Sequence, residues 1–408
     1  MEKKRVFSKS LILLAITSIM LFAMSITSMA ATNQTMNVRQ TGGDESEITL
    51  EWSSRLGYDH YDVEFSQDGV NWEYMEDTSS PKVTIYKNLS TGSTYYARIK
   101  AYKQGHILGD HDESTALVSE TISVCTAPTM PTDLKQTAAT KNSVTLSWTA
   151  VPGATGYEIY RLNESYNWDK IATSNTNSVK LTGLKASSGF KYSVASVKNV
   201  QTCSVVGNRT DSVVGKTTPS KVKNIDMTYF WGSLKECKYE WTSVNNADGY
   251  QYEVRKATGK KVYDKKATIF SYTYFKPYPQ GTFIKARVRA YITVNGKKVY
   301  GSWSDYTYSG VSKSVTAKRS KNGKKIYLNW KKVSGVSEYR IYISTSPDKG
   351  FKKVATVSSK KAAKYTITKY NKKNLKKGKK YYVRLRYVSK VGNKKKVGTV
   401  YSLSLIHI

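Results

Sequence analysis

Past residue 45 the chain alternates apolar and polar positions in short runs, and the runs return. ITLEW, VTLSW, CKYEW and IYLNW each close on a tryptophan, at Trp52, Trp148, Trp241 and Trp330. A tyrosine follows each one nine positions later, at Tyr61, Tyr157, Tyr250 and Tyr339, inside YDHYDVEF, GYEIYRL, GYQYEVR and EYRIYIS. A period of two with β-branched and aromatic enrichment predicts strands that bury one face. A second block returns as Leu89 with Tyr95, Leu184 with Phe190 and Leu375 with Tyr381, each six apart, leading into YYARIKAY, FKYSVASV and YYVRLRYV. The third copy offers TFIKARVRAY instead, with Ile284 in the aligned place. The tryptophans are 96, 93 and 89 residues apart, too long for a helical solenoid unit and the length of a small independent domain.

Four modules follow from that spacing: 31–125, 126–219, 220–312 and 313–408. Thr126-Ala-Pro-Thr-Met-Pro131 separates the first two and Thr217-Thr-Pro219 the next two, whereas the junction at Val311 to Lys313 carries no proline. Linkers this short predict limited freedom between neighbours. At ~3.3 Å per residue, strands of eight to ten residues make each module ~30 Å long. Ahead of the modules, Lys3, Lys4, Arg5 and Lys9 precede an apolar run from Leu11 to Ile26 and the small residues of Ser28-Met29-Ala30. Residues 1–30 therefore read as a secretory signal peptide, and the mature chain is expected outside the cell or at its surface. At the other end, Leu403-Ser-Leu-Ile-His-Ile408 reads like the translation of a transposon mosaic-end adapter. The expectation is a fourth module cut short, with its last strand missing.

The strand tryptophan, the tyrosine nine later and the leucine six before a second aromatic together resemble the fibronectin type III domain. The likeness is plainest in VTLSWTAVPGATGYEIYR and LTGLKASSGFKYSVASV, and Gly301-Ser-Trp-Ser304 resembles the family's closing segment. The resemblance implies an all-β fold: tandem immunoglobulin-like β-sandwiches, beads on a string, a monomeric rod. It assigns Trp52, Tyr61, Tyr95, Trp148, Tyr157, Phe190, Trp241, Tyr250, Trp330, Tyr339 and Tyr381 to the sandwich cores. Tyr95 and Tyr381 resemble the tyrosine corner of such sandwiches, whose hydroxyl bonds upstream backbone. Phe190 and Ile284 have no hydroxyl to offer, so modules two and three should lack that bond.

Charge divides the modules that the core pattern makes alike. Residues 31–125 hold seven basic and fifteen acidic residues, 126–219 ten and five, 220–312 sixteen and seven, and 313–408 twenty-eight and two. In the last module 24 of the basic residues are lysines, hydrated point charges that suit diffuse attraction to a polyanion better than base-specific recognition of nucleic acid. Lys372, Lys373, Lys376, Lys377, Lys379, Lys380, Lys394, Lys395 and Lys396 form the candidate surface for an anionic cell-wall polymer. The plainer alternative is a solvated face that keeps the chain soluble.

Chemistry adds little. There is no nucleophile triad, phosphate loop or zinc spacing, so no catalytic residue, cofactor or metal is assigned. A loop with His106, Asp110, His111, Asp112 and Glu113 could gather ligands but reads more simply as a solvated turn. Cys125, Cys203 and Cys237 fall at non-equivalent places and do not make a disulfide framework; an odd number leaves at least one thiol unpaired. Tyr166 with Trp168, and Trp72 with Tyr74, are the candidate outward aromatics for a glycan. Three readings stay open: a modular spacer and interaction protein for an unidentified protein or glycan ligand, the accessory region of a larger enzyme acting on glycan or wall, and an electrostatic binder of wall polymer.

Overall fold

The computed structural model describes residues 35–103, 116–229, 237–257, 261–275, 281–310 and 315–407, and every regular element among them is a β-strand. Residues 1–30, expected as a signal peptide, and the loop at 105–113 lie outside the described residues. The chain divides into two compact units: residues up to Lys135 with 146–179 and 191–213, and 136–145 with 180–190 and Val214 onward.

Each module is built from one three-stranded and one larger antiparallel sheet. In module one the strand Ile48–Glu51 lies between Arg39–Gly43 and Lys82–Ile85, while Glu73–Thr78, Tyr58–Ser66 and Thr94–Lys103 run side by side in the larger sheet. Modules two, three and four repeat that strand order. The alternation explains the layering, since Ile48 and Leu50 are buried and Thr49 and Glu51 are not. All four tryptophans and all four tyrosines nine positions on are buried. Their rings meet at centroid distances of 5.4, 5.1, 5.2 and 5.2 Å, with planes crossed at 67°, 65°, 62° and 57°. Such edge-to-face contact adds roughly 0.5–1.5 kcal/mol beyond the area buried.

Tyrosine hydroxyls then tie the turns. The Ser90 N–H donates to Tyr95 Oη at 2.7 Å and the Lys376 N–H to Tyr381 Oη at 3.1 Å. A second clasp, absent from the sequence reading, uses the tyrosine of the core pair. Tyr157, Tyr250 and Tyr339 accept the N–H of Val151, Val244 and Val333 at 2.9, 2.8 and 2.9 Å, each six residues upstream. Tyr61 instead donates to the carbonyl of Tyr58 at 3.3 Å. Phe190, expected in the core, is half-buried at the start of the strand Gly189–Val200, where the module opens to solvent and a ring without a hydroxyl has no turn to hold.

The closing strand differs between modules for a traceable reason. In the first three it is interrupted by Ser119, Thr210 and Ser304. Each donates its N–H to the neighbouring strand (Ile99 O at 2.8 Å, Val194 O at 2.9 Å, Val288 O at 2.8 Å). Each also accepts the same residue's N–H on its hydroxyl, at 2.9, 3.2 and 3.0 Å. In module four the strand Lys394–His407 continues through a bulge near Val388, pairing Leu385 with Ser402 and Tyr381 with Ile406. Where the sequence predicts this strand to be missing, residues 403–407 occupy its place, their register continuing the hairpin that begins at Lys394.

The junctions are bonded, not loose beads. Cys125 and Cys203 form a disulfide between modules one and two, with Cα atoms 6.1 Å apart, where the spacing had suggested no framework. Ser123 donates to Gln201 Oε1 at 2.7 Å, and Ser196 to the Thr129 carbonyl at 2.7 Å. Between modules two and three, Lys216 meets Asp248 at 2.5 Å and Asn246 donates to the Ser187 carbonyl at 2.8 Å. Between three and four, Phe283 is fully buried and shares a core cluster with Trp330, Val333, Val336 and Tyr339, and backbone bonds join Phe283 N–H to the Ser334 carbonyl at 2.8 Å and Ser334 N–H to the Gly281 carbonyl at 2.7 Å.

Replacing Tyr95 or Tyr381 by phenylalanine removes one backbone bond from its module, and the urea midpoint, followed by intrinsic fluorescence, is expected to fall by the equivalent of about 0.5–1.5 kcal/mol. Unchanged midpoints in both variants would contradict the clasp.

Candidate binding surfaces

Outward positions of the larger sheets carry one carboxylate each inside a cage of cations and rings. Glu64 meets Arg98 at 2.7 Å and Lys100 at 2.8 Å, and the Arg98 guanidinium lies 4.0 Å over the Trp72 ring. Glu158 meets Lys170 at 2.8 Å and Tyr160, while Arg209 lies 5.3 Å over Trp168. Glu338 meets Arg340 at 3.0 Å and Lys395 at 2.6 Å, and Arg384 lies 3.6 Å over Phe351. Cross-strand neighbours on one face produce these contacts directly.

Module three has the densest cage. Glu253, only 1% exposed, accepts from Arg287 at 2.6 Å, Tyr306 at 2.8 Å and Arg255 at 3.2 Å. Burial pushes its carboxyl up, but the bonds from Arg255, Tyr306 and Arg287 outweigh burial and hold it at about 2. Trp303 is sandwiched by Arg287 at 4.4 Å and Arg289 at 4.5 Å, with Tyr300 3.8 Å beyond Arg289.

These cages change the aromatic candidates. Trp72 and Trp168 are half-buried, and an arginine lies over each ring, so one face of each is already occupied. Tyr166 and Tyr74 are exposed, and the Tyr74 hydroxyl donates to Asp77 at 3.0 Å. Burial and that bond push Tyr74 up to about 12.

The lysines divide into two groups. Lys372, Lys373, Lys376, Lys377, Lys379 and Lys380 are exposed on a small hairpin and the turn that enters the strand Lys380–Val391. Lys394, Lys395 and Lys396 follow the far end of that strand, where Val391 pairs with Lys394. Twelve residues of strand put roughly 36 Å between the groups, so contiguity in composition does not make one patch. Lys395 is engaged by Glu338, and Lys396 lies half-buried with Nζ 5.7 Å from the Tyr308 ring. Only the first group continues into a cationic groove: Lys372 joins Lys352, Lys353 and Lys369 around a floor of Val354, Tyr365 and Ile367.

A surface that pattern reading passed over lies in module three. Tyr272 and Tyr274 project at alternate positions along the outer strand Tyr272–Phe275 of the three-stranded sheet, Phe270 stands in the bend that leads into it, and the three are 55% (Phe270), 38% and 38% exposed. Phe270 and Tyr272 lie 5.4 Å apart with planes at 22°; Tyr272 and Tyr274 lie 5.8 Å apart at 74°. The signal is present in FSYTY, but it emerges only when modules are aligned on the carbonyl that accepts each tryptophan N–H: Pro81, Asn177, Ser271 and Ala363. On that alignment the aromatic positions hold Ser80, Lys82 and Thr84 in module one, Thr176, Ser178 and Lys180 in module two, and Ala362, Lys364 and Thr366 in module four.

Among the described residues no group of three or more His, Cys, Asp or Glu could hold a metal ion, and no helix is long and apolar enough to cross a membrane.

Residues 129–206 match the family model for the Fibronectin type III domain. Chitinase A1 of Niallia circulans is 29% identical over 174 residues, 39% of this chain and 22% of that protein. Exoglucanase B of Cellulomonas fimi is 40% identical over 72 residues, 17% of this chain and 6% of its own length. Exochitinase 1 of Streptomyces olivaceoviridis is 30% identical over 125 residues, 29% of this chain and 18% of its own. The chain thus spans less than a quarter of each relative. Among solved structures, the chicken CNTN1 FN1–FN3 domains are 18% identical, covering 69% of this chain and 100% of theirs at a TM-score of 0.24.

Because Glu253 titrates at about 2 in the folded protein against an ordinary 4.5, its contribution to stability is complete above the ordinary value and is lost as pH falls through the folded one. Thermal unfolding of the mature chain should therefore weaken between about pH 5 and pH 2, and Glu253→Gln should flatten that part of the profile. Identical profiles would show that the cage does not hold the charge.

Proposed function

We propose that this chain, which carries a match to the fibronectin type III domain, works outside the cell as a non-catalytic spacer and docking surface, as an accessory region serving enzymes that act on glycans. The observation that carries the reading is the bonded junctions. A disulfide, a salt bridge and a shared apolar cluster join successive modules, which is what a spacer that transmits position requires. The disulfide fits an oxidising compartment, in keeping with the leader at 1–30. The glycan context is taken from the names of the relatives: two chitinases and an exoglucanase.

Peptide mapping of exported protein without reduction tests this. A Cys125–Cys203 cross-link and one free thiol are expected, and Cys203→Ser should cost roughly 2–4 kcal/mol of stability and open residues 126–131 to protease. Three free thiols in the exported chain would remove the fixed junction and with it the spacer.

A second reading is favoured by module four, where 28 basic residues face two acidic ones and four lysines rim the groove at Val354, Tyr365 and Ile367. On it, that module is held electrostatically to an anionic wall polymer. Retention of the mature chain on purified teichoic acid should then collapse as salt rises past about 0.15 M, where screening reaches ~8 Å; retention indifferent to salt would exclude it.

A further inference from the structure

We propose that Phe270, Tyr272 and Tyr274, with Lys238 and Glu240 beside them, form a binding strip for a linear β-1,4-linked hexopyranose chain. This rests on the reading of the chain as an accessory to glycan-acting enzymes and names the surface and the ligand chemistry. The modules themselves supply the control. Three of them complete the same strand with serine, threonine, alanine and lysine at the aligned positions, so the sheet does not need aromatic rings there. Only module three exposes three rings in a row, against the general tendency to keep large apolar side chains out of water.

The neighbouring strand completes the chemistry. Glu240 stands in register with Tyr272 and Lys238 with Tyr274, and the two charges pair at 2.5 Å. Asp226 lies opposite Glu240 on the next strand. A pyranose offers an apolar C–H face to a ring and a rim of hydroxyls to donors and acceptors, and this face presents both in rows one strand apart. Phe270 and Tyr272 stack on one another and the Lys238 ammonium lies 5.6 Å from the Tyr272 ring, so a sugar meets the outer face of Phe270 and the exposed edge of the pair, while Tyr274, turned steeply to Tyr272, forms a side wall with a phenol hydroxyl. The carboxylates of Asp226 and Glu240 on the same face disfavour a phosphate backbone. Area argues against a stable protein partner. At ~150–250 Å² per aromatic side chain, the exposed part of the three rings comes to roughly 200–300 Å², well under the about 800 Å² per partner of a standard protein interface. A strip this narrow suits a single polymer strand.

The test compares the mature chain with Phe270→Thr/Tyr272→Ser/Tyr274→Lys, which installs the residues of module two at sites where that module folds with them; an unchanged thermal midpoint verifies the fold. Microcrystalline cellulose and fully acetylated chitin are the probes, both neutral, with cellohexaose and chitohexaose in solution to distinguish the two sugars. The expected result is retention on at least one polymer that survives high salt and falls at least tenfold in the triple variant. Equal retention of both proteins overturns the strip while leaving an accessory role on some other surface. Retention of neither protein overturns the strip and the glycan part of the accessory reading, without touching the bonded junctions. Self-association of the parent chain that vanishes in the variant, with no polymer bound, also overturns it and makes the row a docking edge for a second copy.

Discussion

The edge-to-face contact between a strand tryptophan and the tyrosine nine residues later is the constraint from which the modules are built. Centroid distances in the four copies agree within 0.3 Å, although the surfaces around them run from acidic to strongly basic. The pair is not free of cost. In each of the first three modules the indole N–H is buried with no hydrogen-bond partner, a penalty of about 1–3 kcal/mol that burial of two large rings outweighs. The tyrosine recovers part of it by accepting a turn N–H in modules two, three and four, so one side chain packs the core and sets the loop that leads into its own strand.

Strand alternation and the Trp-to-Tyr spacing were legible in the sequence because both are local, read within a dozen residues. What escaped was non-local or non-repeating. Cys125 and Cys203 sit at unlike positions, and comparison of repeats hides a bond that joins one module to the next. The lysines from 372 to 380 and from 394 to 396 look contiguous until a twelve-residue strand is laid between them. Nothing in the sequence shows that Arg98 and Arg209 lie over Trp72 and Trp168. The row at Phe270 was written in plain alternation, yet alternation is also what a buried face produces, and only the aligned residues of the other modules tell the two apart. The last strand of module four was masked by residues that look foreign as text but continue the register set at Lys394.

The three junctions divide by chemistry in a way that bears on how the chain responds to its surroundings. The first is covalent and follows redox state. The second rests on the Lys216 to Asp248 contact, at which both side chains are partly exposed, and so is open to salt. The third buries Phe283 in the core of module four, leaving so little room that a Cβ on Gly310 would lie 2.6 Å from the ring. Modules three and four therefore share stability to a degree the other neighbours do not.

The Cys125–Cys203 bond also dictates how the chain carries tension. A pull along the backbone arrives at Cys125 and crosses through sulfur to Cys203, so the intervening segment, 78 positions of sequence, is shunted out of the load path. Trp148, Tyr157 and most of the strands of module two then carry no tension along their own backbone while the bond is intact. At ~3.3–3.6 Å per extended residue, roughly 260–280 Å of contour length stays hidden from stretching, to be released only on reduction. The cross-link thus makes the second module a mechanical bypass, shielded from strain that its neighbours must bear.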